Sequence, residues 1–152
     1  MMVGQRAGKS YTTQLIILYL VHFYIKSQNP HGILGISRAT PLVATVCSLK
    51  LNQAKTSLYG PMLAHVQRSP WFRNYVQWLQ DNRPKNGREL VALNETSMQF
   101  RHRGLVIQLD AADGGTLRGA SRFVTAVDEI AHVPDDDQTA TTSAKQIYVA
   151  LS

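Results

Sequence analysis

The stretch "GQRAGKS", from Gly4 to Ser10, places glycine, lysine and serine in the order found in loops that hold the phosphates of a nucleotide. Gly8 would let the backbone wrap a phosphate with its N–H groups pointing inward, Lys9 would reach the β and γ phosphates, and Ser10 would bind Mg²⁺. The spacing departs from the full pattern, because three residues rather than four separate the glycines and Val3 occupies the place of the first glycine. The loop therefore needs a second motif to support it.

Two adjacent carboxylates, Asp128 and Glu129, follow the apolar run from Phe123 to Val127. A buried parallel strand would deliver such acids at its carboxyl end. The first carboxylate would complete the Mg²⁺ shell, and the second would orient and deprotonate an attacking water. An apolar run that ends in two acids is by itself typical of an ordinary strand end. Together with the upstream Gly-Lys-Ser it predicts hydrolysis of ATP by positioning and electrostatics.

The segment after the loop, "SYTTQLIILYLVHFYIK", predicts the helix that would point its positive end at the phosphates. It contains no glycine or proline and is apolar nearly all round, which is typical of a helix packed against a sheet. A basic start and an apolar run also begin a signal peptide, but no small-residue cleavage site follows and the run is too short to span a bilayer. We therefore expect neither export nor a membrane partner, and the single Cys47 favours a reduced, cytoplasmic protein.

The rest of the chain alternates apolar strands with helices. The patterns predict a loop over 27–41, a buried strand over 42–49, helices at about Asn52 to Gln67 and Trp71 to Asp81, and two or three short strands within 89–111. Such alternation favours one α/β domain with a parallel or mixed central sheet and helices on both faces. The two tryptophans, Trp71 and Trp78, are expected to pack in the core rather than to stack on bases.

The net charge of +6 is distributed unevenly. Residues 1–103 carry 13 Lys and Arg against 3 acids, whereas residues 104–152 carry 3 against 7. A basic part of the chain followed by an acidic part is typical of a protein that binds a polyanion on one surface. Two interpretations stay open, a DNA-tracking face or an ordinary solvated surface, for a set of basic residues that comprises Arg68, Arg73, Arg83, Lys85, Arg88, Arg101 and Arg103.

Three segments together resemble the ATPase domain of the large terminase subunit of tailed bacteriophages, the motor that packages DNA into the procapsid. "VGQRAGKSYTTQ" is similar to that family's Walker A variant, which has the same shortened spacing and an arginine inside the loop. "ATVCSLKLNQAKTSLYGPMLAHVQRSPWF" is similar to its strand, helix and turn, and "GTLRGASRFVTAVDEIAHV" to its LRG segment and Walker B strand. The resemblance covers most of the chain and implies a P-loop NTPase fold.

The resemblance also implies a role for each matching residue. Asp128 would complete the metal site with Ser10, and Glu129 would be the catalytic base. Arg6 matches an arginine that senses the γ phosphate, and Arg118 matches one that reaches into the neighbouring subunit's site, although a surface arginine explains Arg118 as well. The nucleotide would lie on the loop formed by Gly4, Gln5, Arg6, Ala7, Gly8, Lys9 and Ser10.

The family implies ATP and Mg²⁺ as ligands, and double-stranded DNA, a homo-oligomeric ring, a small terminase subunit and a portal protein as partners. It also implies that residues 1–152 form a partial ATPase domain that lacks most of its first strand, with the C-terminal nuclease domain absent. Three consecutive acids, 135–137, indicate a solvated loop rather than that nuclease. Two alternatives stay open: a helicase-type ATPase, because "DEIAH" is one insertion from a "DEAH" box, and a non-catalytic nucleic-acid-binding remnant.

Overall fold

The computed structural model describes residues 8–48, 50–84, 89–111 and 121–128. In chain order, its helices and strands are α1 (Lys9–Lys26), α2 (Pro30–Ile33), β1 (Leu42–Ser48), α3 (Leu51–Ala54), α4 (Gly60–Arg68), α5 (Pro70–Asp81), β2 (Val91–Leu93), β3 (Ser97–Phe100), β4 (Leu105–Ala111) and β5 (Arg122–Asp128). A π-helical segment, Lys55–Tyr59, joins α3 to α4, and a 3₁₀ turn, Arg101–Arg103, precedes β4. In this part of the chain no helix combines the length and apolar character needed to cross a membrane.

The described strands form one mixed sheet in the order β2-β3-β4-β1-β5. β1 runs parallel to both β4 and β5, whereas β3 is antiparallel to β2 and to β4. The register pairs Ser48 with Ala111 on one side and with Asp128 on the other, so the three parallel strands end together. We call this end of the sheet the carboxyl edge, and the end where these strands begin the amino edge. The prediction of an α/β fold with a mixed sheet flanked by helices is confirmed.

The hydrophobic core lies on one face of this sheet. All seven residues of β1 are buried, as expected for a central strand of parallel neighbours. Its alternate residues Leu42, Ala44 and Val46 join a core cluster with residues of α1, α3, α4 and α5, which pack on that face. Burying each large apolar side chain in this layer contributes about 1.5–3 kcal/mol. The second helical layer predicted from the sequence is not found among the described residues.

The opposite face of the sheet carries polar side chains. Arg122, at the start of β5, donates from Nε to Thr45 Oγ1 at 2.8 Å, and its Nη2 lies 4.0 Å from Asp110 Oδ2. The other carboxylate oxygen of Asp110 accepts from Gln108 Nε2 at 2.8 Å. Since Thr45 is buried and the side chain of Arg122 is 11% exposed, this network crosses three strands out of bulk solvent.

Two elements differ from the predictions. The predicted helix at about 52–67 is present but contains the π-helical segment, in which the Gly60 amide bonds to Lys55 O, five residues back. Pro61 accounts for this irregularity, because it has no N–H to offer the Ser57 carbonyl, which instead accepts from Gln14 Nε2 at 2.9 Å. The predicted loop at 27–41 contains the short α2, whose amino end is capped by the Asn29 side chain.

Candidate functional site

Helix α1 runs antiparallel to the three parallel strands. Near its carboxyl end, Arg103 Nε donates to Ile25 O at 3.2 Å, and Tyr24 packs against Phe123 with ring centroids 5.0 Å apart. Arg103 and Phe123 lie at the beginnings of β4 and β5, on the amino edge. Gln14, in the first half of α1, instead contacts Ser57 in the segment that follows the carboxyl end of β1. The amino end of α1 therefore lies on the side of the carboxyl edge.

Gly8 turns the chain into α1. Its backbone is left-handed, with φ 76° and ψ 13°, and its carbonyl accepts from Thr12 N at 2.9 Å to open the helix. A side chain at this position would meet no atom within 4 Å, so the requirement for glycine is conformational rather than steric. This is the position at which the motif "GKS" predicts a tight turn.

The amino end of α1 carries no side-chain cap and no acid in its first turn, Lys9 to Thr12, all of which is described. The first N–H groups of a helix lack internal partners, and the helix dipole adds positive potential there. Lys9 is exposed and Ser10 is half-buried, so an ammonium and a hydroxyl lie beside these N–H groups. The arrangement fits an anion, and a phosphate in particular.

Strand β5 carries Asp128 to the carboxyl edge, as predicted. The strand is parallel to β1, but over residues 122–127 it is half-buried rather than buried, with Ala126 as the buried residue in that range. Ser48, the register partner of Asp128, is buried, and its hydroxyl has no hydrogen-bond partner in the described part of the chain. Asp110 stands one residue before the end of β4. Ser48 and Asp128 thus share a register position at this edge, whereas Asp110 pairs with Cys47 and belongs to the polar face of the sheet.

The described residues contain part of the predicted site. Gly8, Lys9 and Ser10 lie on the side of the carboxyl edge, where Asp128 ends β5. The other predicted site residues lie outside the described ranges; they are Gly4, Gln5, Arg6, Ala7, Arg118 and Glu129. In the described ranges, His, Cys, Asp and Glu side chains form no group of three that could hold a metal ion. Of the residues predicted to bind Mg²⁺, Ser10 is half-buried at the start of α1, and Asp128 is the last residue of β5.

Sequence reasoning did not find the polar network of Arg122, Thr45, Asp110 and Gln108 on the sheet face opposite the core. Its signal is visible in hindsight, since Thr45, Gln108 and Asp110 interrupt otherwise apolar strands at alternate positions. The network also surrounds the thiol of Cys47, which donates to Ala126 O at 3.5 Å. Burial raises the pKa of this thiol to about 12, with a further upward contribution from Asp110 and an opposing one from Arg122. Cys47 is therefore a protonated, packed side chain at neutral pH, in agreement with its predicted place in a buried strand.

Comparison with known proteins gives no relative: no family model, no curated protein and no solved structure matches this chain.

Proposed function

We propose that this chain binds ATP at the carboxyl edge of its sheet and hydrolyses it as the ATPase domain of a DNA-packaging motor of the terminase type. The observation that carries the proposal is the amino end of α1. A left-handed Gly8, an exposed Lys9 and Ser10 open a helix without a side-chain cap, at the edge where β5 ends in Asp128. Ligands of open α/β sheets bind outside the carboxyl ends of the strands.

The chemistry assigned to each residue follows from charge and reach. The phosphates would accept hydrogen bonds from the first N–H groups of α1, and the Lys9 ammonium would pair with the β and γ oxygens. Ser10 and Asp128 would hold Mg²⁺, which neutralises charge on the phosphates. Glu129 would take a proton from a water molecule while the oxygen of that water forms a bond to the γ phosphorus. The bond between that phosphorus and the β,γ-bridging oxygen breaks, giving ADP and phosphate.

The coupling to DNA is proposed on the resemblance and on charge. Residues 1–103 hold an excess of ten positive charges, which suits a double-stranded DNA partner. In a homo-oligomeric ring, Arg6 would sense the γ phosphate of its own site, and Arg118 would reach the site of the neighbouring subunit. An arginine supplied by a neighbour can accelerate phosphoryl transfer by several orders of magnitude. The small terminase subunit and the portal protein would be its other partners.

Calorimetric titration of the folded chain with Mg-ATP tests the proposal. Lys9→Ala should abolish measurable binding, because it removes the cation from the phosphates, whereas Glu129→Gln should bind as tightly as the wild type and fail only in turnover. Lys26→Ala is the matched control, since it removes an exposed lysine from the opposite end of the same helix. A wild-type chain with a folded circular dichroism spectrum but no heat of binding would overturn the proposal, as would equal losses in the two lysine variants.

A further inference from the structure

A groove at the amino edge of the sheet combines aromatic rings with basic side chains. It consists of two adjoining cavities of about 440 and about 310 Å³ that share His102 and Arg103. Lys26 and Trp78 line the larger cavity, and Arg38 and Arg101 line the smaller one. We call this the amino-edge groove. It lies at the opposite end of α1 from Lys9, about 25 Å away at the helical rise.

Three rings on one side of α5 form a continuous stack that leads into this groove. Trp71 and Tyr75 lie nearly parallel with centroids 5.5 Å apart, and Tyr75 and Trp78 do so at 6.2 Å. Trp71 and Tyr75 pack against the core, which fixes the inner end of the stack. Trp78 at its outer end is 48% exposed, contrary to the prediction that it packs in the core. The stack therefore ends in a fixed indole that is open to solvent.

The charged residues that line the two cavities are all basic. Lys26, Arg38 and Arg101 are exposed, and the described residues that line the two cavities include no Asp or Glu. Arg103 is held by its bond to Ile25 O, and Arg101 by bonds to Gln99 Oε1 and Glu89 O. His102 meets Trp78 edge-on at 5.5 Å, and burial first and Arg103 second keep its pKa below the ordinary value. The groove thus offers guanidinium and ammonium groups beside an aromatic face.

We propose that the amino-edge groove binds a single-stranded nucleic-acid segment, with one base stacked on Trp78 and the flanking phosphates paired with the arginines and Lys26. Only an unpaired base presents the free face that an indole can cover, which favours a single strand over a duplex. The phosphates supply the negative charge that the lining lacks. This site is separate from the ATP site, because it lies at the other edge of the sheet, and it does not depend on ATP binding.

The test measures binding of a ten-nucleotide oligothymidine to the whole chain by fluorescence anisotropy and by quenching of tryptophan emission. Trp78→Ala should raise the Kd about tenfold, as expected for the loss of one stacked base, with an unchanged slope of log K against log salt. The double variant Lys26→Gln/Arg38→Gln should weaken binding at low salt and reduce the magnitude of that slope by about 1.4, at about 0.7 for each phosphate that no longer has a cationic partner.

Arg73→Gln is the matched control for charge. It removes an exposed arginine from the same helix, in a different cavity lined by Val66 and Gln77, and should leave the Kd unchanged. Lys9→Ala should also bind the oligonucleotide normally, so failure of the ATP proposal and failure of this one are distinguishable. Absence of binding by the folded wild type would overturn the inference. Equal affinity for a duplex or for heparin, insensitive to Trp78→Ala, would also overturn it, because it would indicate a non-specific basic surface.

Discussion

At the scale of single residues, buried ionisable groups set how this protein responds to alkaline pH. Burial raises the pKa of Cys47 from 9.0 to about 12 and that of Tyr75 from 10.0 to about 12, and it also raises the pKa of Tyr59. Between the unfolded and folded values, the unfolded chain releases protons that the folded chain keeps. The contribution of these three groups to the free energy of unfolding should therefore be constant below about pH 8 and fall as the pH rises from about 9 towards 12.

Urea unfolding at pH 7, 9, 9.5 and 10.5 measures this dependence. Cys47→Ala should remove the larger part of the fall between pH 9 and 10, because the unfolded thiol, with an ordinary pKa of 9.0, loses its proton before the unfolded tyrosines, whose ordinary pKa is 10.0. If the free energy of unfolding fell equally in the wild type and the variant between pH 9 and 10, the thiol would not be the group responsible. The same burial predicts that iodoacetamide modifies Cys47 only as fast as the chain unfolds.

Two buried tyrosines provide a matched pair for hydrogen bonding. The Tyr59 hydroxyl donates to Asn94 O at 2.8 Å, whereas the Tyr75 hydroxyl is buried without a partner in the described part of the chain. Tyr59→Phe should lower the free energy of unfolding by about 1 kcal/mol, because it removes this hydrogen bond. Tyr75→Phe should leave it unchanged or raise it by up to about 1 kcal/mol, since it removes an uncompensated desolvation cost. Urea unfolding compares them, and a larger loss in Tyr75→Phe would contradict the assignment.

At the scale of elements, the π-helical segment makes a prediction that opposes helix propensity. In an ordinary helix interior alanine is favoured over glycine by about 1 kcal/mol. At Gly60, however, an added Cβ would lie 2.9 Å from Lys55 O, a backbone atom held in the π-helical turn. Gly60→Ala should therefore destabilise the protein, as measured by thermal and urea unfolding. Ala64→Gly on α4 is the control and should cost about 1 kcal/mol by propensity alone. A stabilised Gly60→Ala would show that the turn relaxes freely.

Helices and strands were predictable where the apolar residues of a segment follow a single spacing. The apolar run of β1, the alternation in β4 and the proline-initiated α5 all occur where expected, because each pattern has a single structural solution. Pro61 indicates an irregularity in this helix, but the sequence does not show that the helix continues through a π-helical segment, because that also requires Gln14 of α1 to satisfy the Ser57 carbonyl. The prediction that α1 packs against the sheet is also incomplete, because some of its apolar residues face away from the core. Its outer side leaves Tyr19 and Ile16 exposed, because one sheet face can cover only one side of a helix.

At the scale of the whole molecule, the candidate sites depend on topology that local patterns do not encode. Lys9 and Asp128 are 119 positions apart in sequence, and they share an edge because β5 pairs in parallel with β1 and α1 runs antiparallel to both. The amino-edge groove likewise joins α1, α5 and the turn before β4. Sequence reasoning could propose chemistry in the first case, because the motifs consist of adjacent residue types. It missed the second, because the tryptophans and arginines become one surface only after folding.

The separation of the two edges predicts that ATP and single-stranded nucleic acid bind at the same time. The sites lie at opposite ends of α1, about 25 Å apart, with the packed core between them. Titration of Mg-ATP into protein saturated with oligothymidine should give the same stoichiometry and a Kd changed by less than about fivefold, below the range of typical allosteric coupling. Lys9→Ala and Trp78→Ala should each remove one ligand only, and their free-energy losses should add in the double variant, as distant substitutions do. Displacement of one ligand by the other would instead mean that both occupy a single site, and it would contradict the division of chemistry between the two edges of the sheet.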